Sequence, residues 1–369
     1  MQARFDGALA LCRQAVDEGV VPGLVLLVAS EGAVRLHEAV GHRQLTPQRL
    51  PTLPDTVYDV ASLTKAVATS VVAMQLVERG ALALEDAVRR HIPEFGGASD
   101  RDQVTVRLLL AHAAGLPAHR PFFRTIPSAP SGRWAIALGA AREPLDYAPG
   151  TKSVYSDLGF ILLGWLAERV AGQRLDVQFE RGVAARLGLS STAFVNLSDS
   201  EARAHLLGTR TVAATQQSAE RHRVVLGEVD DMNGFAMGGI AGHAGLFSNA
   251  ADLDAIAAAL CASWRGDAAS PLVHRDVIRR FWSPAGVPGS VWRLGWDGPS
   301  QGASQAGRLL SRAAVGHLGF TGCSLWIDPE RDLWVVLLTN RVHPHVPTDD
   351  RFRTWRPALH DAVMEALGI

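Results

Sequence analysis

A chain of 369 residues with 47% hydrophobic and 20% charged side chains is long enough to bury a large core and too apolar for an intrinsically disordered protein. Its formal net charge of -1 and the lack of a long Lys/Arg run exclude the basic footprint of a nucleic-acid binder. No stretch approaches the roughly 18 uncharged apolar residues of a membrane span. The opening MQARFDGALALCRQAVDEG lacks the apolar region and cleavage site of a signal peptide, so the expected location is the cytoplasm, or the periplasm if a leader has been removed.

In chain order, Phe5, Ala8, Leu9, Cys12 and Ala15 recur at helical spacing, and VVPGLVLLVAS and AVRLHEAVG then flank a turn at Glu31-Gly32, which predicts a helix followed by a β-hairpin. From Ser62 to about residue 200 the pattern is helical, over 62–79, 105–113, 133–141, 157–171 and 176–187, with Gly and Pro clusters as punctuation in HAAGLPAHRP and YAPGTK. A weakly periodic stretch near 200–230 precedes the glycine-rich GFAMGGIAGHAGLFS and a helix in NAADLDAIAAALCASW. Strands are expected in RLGWD, LLSRAAVGHLGF, CSLWIDPE and DLWVVLLTN, with an amphipathic helix near 352–367. Strands at both ends around a helical middle predict an α+β fold in which the two termini share one antiparallel sheet. The whole chain, 1–369, reads as one unit: a sheet lobe from 1–60 and about 230–369, a mainly helical lobe over about 61–230, and a cleft between them.

The segment VASLTKAVATSVVAMQLVERG, residues 60–80, places Ser62 and Lys65 three apart at the front of an apolar run. With Asp59 as N-cap, Ser62 falls at the third helical position with Lys65 one turn on, so hydroxyl and ammonium can meet. Burial would lower the lysine's pKa and make it a base for a serine that is otherwise a poor nucleophile. A bare S-x-x-K is common in helices, and what gives this one weight is Tyr155-Ser156-Asp157 and His317-Leu318-Gly319 following it in order.

Together these three elements resemble the S-x-x-K, Y-x-N and K-T-G boxes of the serine β-lactamase and penicillin-binding-protein superfamily, in particular its class C-like serine hydrolases. LLLAHAAGLP, YAPGTKSVYSDLGF and FAMGGIAGHAGLFSNAADL are similar too. The resemblance implies an antiparallel sheet flanked by helices with an inserted helical lobe, and catalysis through an acyl-enzyme. It implies Ser62 as nucleophile, Lys65 as proton acceptor, Tyr155 sharing the acid/base work with a phenol pKa lowered by Lys65, and His317 in place of the third-box cation. The backbone N–H groups of Ser62 and Phe320 would form the oxyanion hole.

The departures bear on substrate. Asp157 replaces the usual Asn by an acceptor-only carboxylate, while His317 and Leu318 replace the usual lysine and hydroxyl residue; efficient β-lactam hydrolysis is therefore not expected. His-containing third boxes occur among the family's esterases, aminopeptidases and amidases, and the glycine-rich run resembles a branch associated with cell-wall peptides. The expected substrate is a small ester or amide, with a cell-wall-derived peptide or muropeptide as the favoured amide. Broad carboxylesterase activity, or ligand binding without turnover, are the alternatives. His243, in the glycine-rich run, is a candidate wall of the substrate site together with Leu318 and Gly319. No cofactor or metal is expected, since the chain has no phosphate-binding glycine motif and His343 and His345 read as a surface loop. Cys12, Cys261 and Cys323 have no C-x-x-C spacing, which indicates neither a disulfide framework nor a zinc knuckle, Cys323 reads as a buried strand thiol, and Trp165 and Trp326 read as core. Oligomeric state has no signal in the sequence.

Overall fold

A computed structural model of the chain describes residues 2–97, 100–126, 132–267, 272–302 and 304–369. The two chain ends meet in a six-stranded antiparallel sheet made of β1 (Gly23–Ser30), β2 (Ala33–Gln44), β3 (Leu50–Pro51), β4 (Val315–Leu318), β5 (Ser324–Asp328) and β6 (Leu333–Thr339), in the order β3-β2-β1-β6-β5-β4. β1 pairs with β6 from Leu24 opposite Thr339 to Ser30 opposite Leu333. In the β1–β2 turn Glu31 and Gly32 take φ of 51° and 71°, the left-handed pair that matches the twist of a tight hairpin.

β1 is almost wholly apolar because both of its faces are covered. Leu24, Leu26 and Val28 pack with the terminal helices α1 (Asp6–Asp17) and, at the far end, Arg351–Leu367, whereas Val25, Leu27 and Ala29 join the larger core that includes the helical part. That core holds α2 (Val71–Glu78), α3 (Asp157–Ala171) and α4 (Ala250–Arg265); the terminal helix is α5. α3 begins where the sequence places it, with Ser156 Oγ accepting the Gly159 N–H at 3.3 Å as N-cap.

Three expectations need correction. The helix expected over 62–79 starts with a π turn, Lys65–Ser70, before α2. The helix expected over 105–113 spans only Val106–Leu110, and His112 just beyond it has a φ of 54°, which regular helix cannot accommodate. RLGWD is not a strand: Gly295 has a φ of 81° that breaks the extended chain, leaving one bridge between Asp297 and Gly316. Among the described residues, no helix is long and apolar enough to cross a membrane.

Candidate active site

The approach to Ser62 is fixed from behind. Asp59 is not a helix N-cap: it ends the short strand Tyr58–Asp59, and its two oxygens accept the N–H of Ala61 at 2.8 Å and of Asp230 at 2.6 Å. Ala61 has a φ of 47°, a left-handed conformation that costs free energy for a residue with a Cβ. Ser62 follows in the turn, and its carbonyl accepts the Lys65 N–H at 3.0 Å. Lys65 is completely buried. Its Nζ donates to Ser62 Oγ at 2.9 Å, Asp157 Oδ1 at 2.9 Å and the His243 carbonyl at 3.0 Å, so the three protons of an ammonium have three acceptors.

This arrangement reverses the expected shift of Lys65. Burial lowers its pKa, but Asp157 and Tyr155 outweigh burial and hold it above the ordinary lysine value. Asp157 moves the opposite way: burial raises it, and Lys65, with help from His119, holds its carboxyl well below the usual carboxylate range. The pair rests as an ammonium and a carboxylate because each charge favours the other's charged form by more than burial disfavours it.

Tyr155 also departs from expectation. Lys65 and Ser62 beside its phenol lower its pKa, yet burial raises it by more. The ring is packed by His112 at 4.7 Å between centroids, Trp292 at 5.7 Å and His317 at 5.9 Å, with Lys65 Nζ 4.8 Å from its centre. The resting phenol is neutral.

His317 lies at the site but is not a cation. It is 2% exposed, and burial, followed by the Lys65 charge, brings its pKa down to about 3. Its Nδ1 lies 2.9 Å from both the Leu318 nitrogen and the Leu318 carbonyl oxygen, and its buried Nε2 has no partner among the described residues. Gly319 lies so close to the chain entering the site that a Cβ there would stand 2.6 Å from the Val60 carbonyl. Beyond it, neither the Phe320 N–H nor the Ser62 N–H has an intramolecular acceptor among the described residues. Two orphan donors at one serine are suited to a developing oxyanion.

Ser62, Tyr155 and Phe320 line two cavities. One, of about 630 Å³, continues past Leu318 and Trp292 to Arg341, Arg353 and Arg356; the other, of about 400 Å³, is walled by His119, Asp157, Asp231 and His243. His243 lines the second cavity, with Nε2 on Asp231 Oδ1 at 2.9 Å, and its carbonyl also anchors Lys65. The glycines around it have a packing reason: a Cβ on Gly242 would collide with the Phe160 carbonyl of α3, and the Gly242 carbonyl accepts from Thr69 Oγ1 at 2.7 Å.

Sequence reading missed His119, whose Nδ1 is 3.3 Å from Asp157 Oδ2, as well as Asp231, Trp292 and the arginines. His119 stands inside the HAAGLPAHRP run, and the three Arg of RFRTWR at the head of α5 were the available signal for Arg353 and Arg356. Trp292 had none. His343 is buried rather than on a surface loop: it takes the Leu45 N–H on Nε2 at 2.8 Å and faces the Thr215 carbonyl with Nδ1 at 2.7 Å. The Cys323 thiol is pushed up to about 12 by burial. Among the described residues no cluster of His, Cys, Asp or Glu is arranged to hold a metal ion.

Comparison with known proteins gives a consistent set of relatives. A match to the Beta-lactamase family spans residues 9–360. Over 366 residues the chain is 30% identical to a putative D-alanyl-D-alanine carboxypeptidase of Escherichia coli (strain K12), covering 91% of this chain and 82% of that protein. Over 370 residues it is 30% identical to an N-acetylmuramyl-L-alanine amidase of Bacillus subtilis (strain 168), covering 90% and 82%. Among solved structures, EstCE1, a hydrolase with promiscuous acyltransferase activity, superposes with a TM-score of 0.76 at 23% identity, covering 98% of both chains.

Proposed function

The chain belongs to the beta-lactamase family, and on that premise we propose that Ser62 is the nucleophile of an acyl-enzyme cycle that hydrolyses a small carboxylate-bearing amide or ester, with a cell-wall peptide or muropeptide as the favoured substrate. It is a serine hydrolase of that fold. The observation that carries the assignment is Ser62 itself, whose oxygen accepts a hydrogen bond from the buried Lys65 while the residue lines both cavities together with Tyr155.

At rest the site holds an ammonium, a phenol and a carboxylate, so loss of one proton from the Lys65–Tyr155 pair creates the base. Ser62 Oγ bonds to the substrate carbonyl carbon as its proton passes to that base. The carbonyl electron pair moves onto oxygen, where the N–H groups of Ser62 and Phe320 receive it. Collapse breaks the bond to the leaving oxygen or nitrogen, which takes a proton back from the pair. Water then repeats the sequence on the acyl-enzyme and frees Ser62.

Arg356 supports the substrate class. It is buried, its Nη2 donates to Gln305 Oε1 at 2.6 Å, and its Nε has no partner among the described residues. Burial first, then the neighbouring Arg341 and Arg353, lower its pKa to about 9, and no carboxylate pairs with its guanidinium among the described residues. A substrate carboxylate would satisfy it. The names of the relatives, a carboxypeptidase and a muramyl amidase, favour an amide. With His317 neutral on the edge strand β4, poor turnover of β-lactams is expected.

A fluorophosphonate should add its phosphonyl mass to the wild type and leave Ser62→Ala unmodified. No adduct on the wild type, or the same adduct on Ser62→Ala, overturns the nucleophile. A panel of p-nitrophenyl esters, D-amino-acid peptides and muropeptides reads the substrate class, and a preference for esters without a carboxylate overturns it.

A further inference from the structure

His112 carries an unusual combination of strain and contacts that the reaction outlined above does not use. It is 2% exposed, and its φ of 54° is a left-handed conformation uncommon for any residue with a side chain. That conformation brings two acceptors of one residue to the same stretch of chain. The His112 carbonyl accepts the Val154 N–H at 2.8 Å, and His112 Nδ1 accepts the Ser156 N–H at 3.1 Å. These are the residues on either side of Tyr155. The imidazole itself packs on the Tyr155 ring at 4.7 Å and meets Trp292 edge-on at 4.4 Å.

The neighbouring residues extend the same attachment. The Ala111 carbonyl accepts from Ser153 Oγ at 3.0 Å, the Ala113 carbonyl from the Gly150 N–H at 2.8 Å, and the Ala118 carbonyl from the Asp157 N–H at 2.9 Å. The loop before α3 is thus fastened along the 111–118 turn, with His112 at the point where Tyr155 projects. We propose that His112 is the positioning residue for Tyr155: its carbonyl and Nδ1 hold the two flanking N–H groups, and its ring sets the plane of the phenol against Ser62 and Lys65. The role requires an unprotonated Nδ1, because a proton there would remove the acceptor for Ser156. Burial, and then the charge of Lys65, keep His112 well below the ordinary histidine value, which meets that requirement. The backbone strain is compatible with a site held in place by the surrounding fold.

This role rests on the proposed acyl-enzyme function, and a double-mutant cycle separates the two. Hydrolysis of p-nitrophenyl acetate is measured for wild type, His112→Ala, Tyr155→Phe and the double variant, with thermal melting as the folding control. A positioned acid/base group contributes about 10²–10⁴-fold. His112→Ala is therefore expected to lower kcat by about 10²-fold while changing KM less than about threefold. On a Tyr155→Phe background the same change should cost less than about threefold, because the group it positions has lost its function. His112→Asn tolerates the left-handed backbone and offers an amide oxygen near the place of Nδ1, and should recover at least about tenfold over His112→Ala. If His112→Ala does not fold, His112→Gly, which takes the left-handed backbone without a Cβ penalty and lacks both ring and Nδ1, carries the cycle under the same criterion. Losses that multiply in the double variant, or wild-type kcat in His112→Ala, overturn the role of His112. A wild type whose Ser62 takes no acyl group overturns instead the function on which that role rests.

Discussion

At the scale of single residues, Asp157 decides the electrostatics of the site. Lys65 has a raised pKa, so the stability its pairing contributes is complete below the ordinary lysine value and is lost as pH rises through the raised one. Asp157 has a lowered pKa, so its contribution is complete above the ordinary carboxylate value and is lost as pH falls through the lowered one. Between those limits the pair stays charged, and the base form, one proton lighter, grows toward alkaline pH. Asp157→Asn removes the charge that holds Lys65 up and that also raises Tyr155. Burial, opposed then by Tyr155 without Asp157, pulls Lys65 down, and the rising limb of the rate profile should move to lower pH, each unit giving about tenfold at a fixed pH on that limb. Acylation of Ser62 followed from pH 6 to 11 tests this; superimposable profiles for wild type and variant would sink it. Ser62, Lys65 and Tyr155 could be found by spacing and order, but their charge states could not. Asp157 is 92 residues from Lys65 along the chain, and burial is a property of the fold.

At the scale of elements, the site depends on backbones that approach more closely than side chains would allow. The glycine-rich run crosses α3 at Gly242 and Gly164, where a Cβ on either would press on the other's backbone. That crossing sets the His243 carbonyl over Lys65. Gly242→Ala should force the strands of contact apart, costing about 1–3 kcal/mol, and lengthen the bond from Lys65 to the carbonyl. The expected readout is a lower urea midpoint together with at least a tenfold slower acylation of Ser62, while unchanged acylation in a destabilised variant would show that the carbonyl does not matter. The glycines were visible in GFAMGGIAGHAG, but their partner was not. In the same way 157–171 was legible as a helix from its apolar spacing, whereas the helix over 105–113 stopped early because His112 turns left-handed for contacts made 42 and 44 residues on.

At the scale of the whole molecule, the sheet that carries the edge strand β4 is completed by both chain ends, and α1 and α5 close its far face through bonds such as Trp355 Nε1 to the Leu11 carbonyl at 3.0 Å. Leu26 is fully buried on that face, so Leu26→Ala should cost about 2–5 kcal/mol. Because its side chain points away from the cleft, the variant should acylate at the wild-type rate below its reduced melting temperature; a slowed reaction there would mean that the far face is coupled to the site. The sequence by itself determined the terminal hairpin, the shared antiparallel sheet, the helical middle and the three ordered motifs, because alternation, helical period and turn residues are local signals. Only the tertiary structure decided that Lys65 rests charged, that Tyr155 and His317 rest neutral, and that His112, His119, Trp292 and Arg356 surround the serine. A proton's free energy depends on what burial and long-range packing bring within a few ångströms, and no spacing along the chain records that.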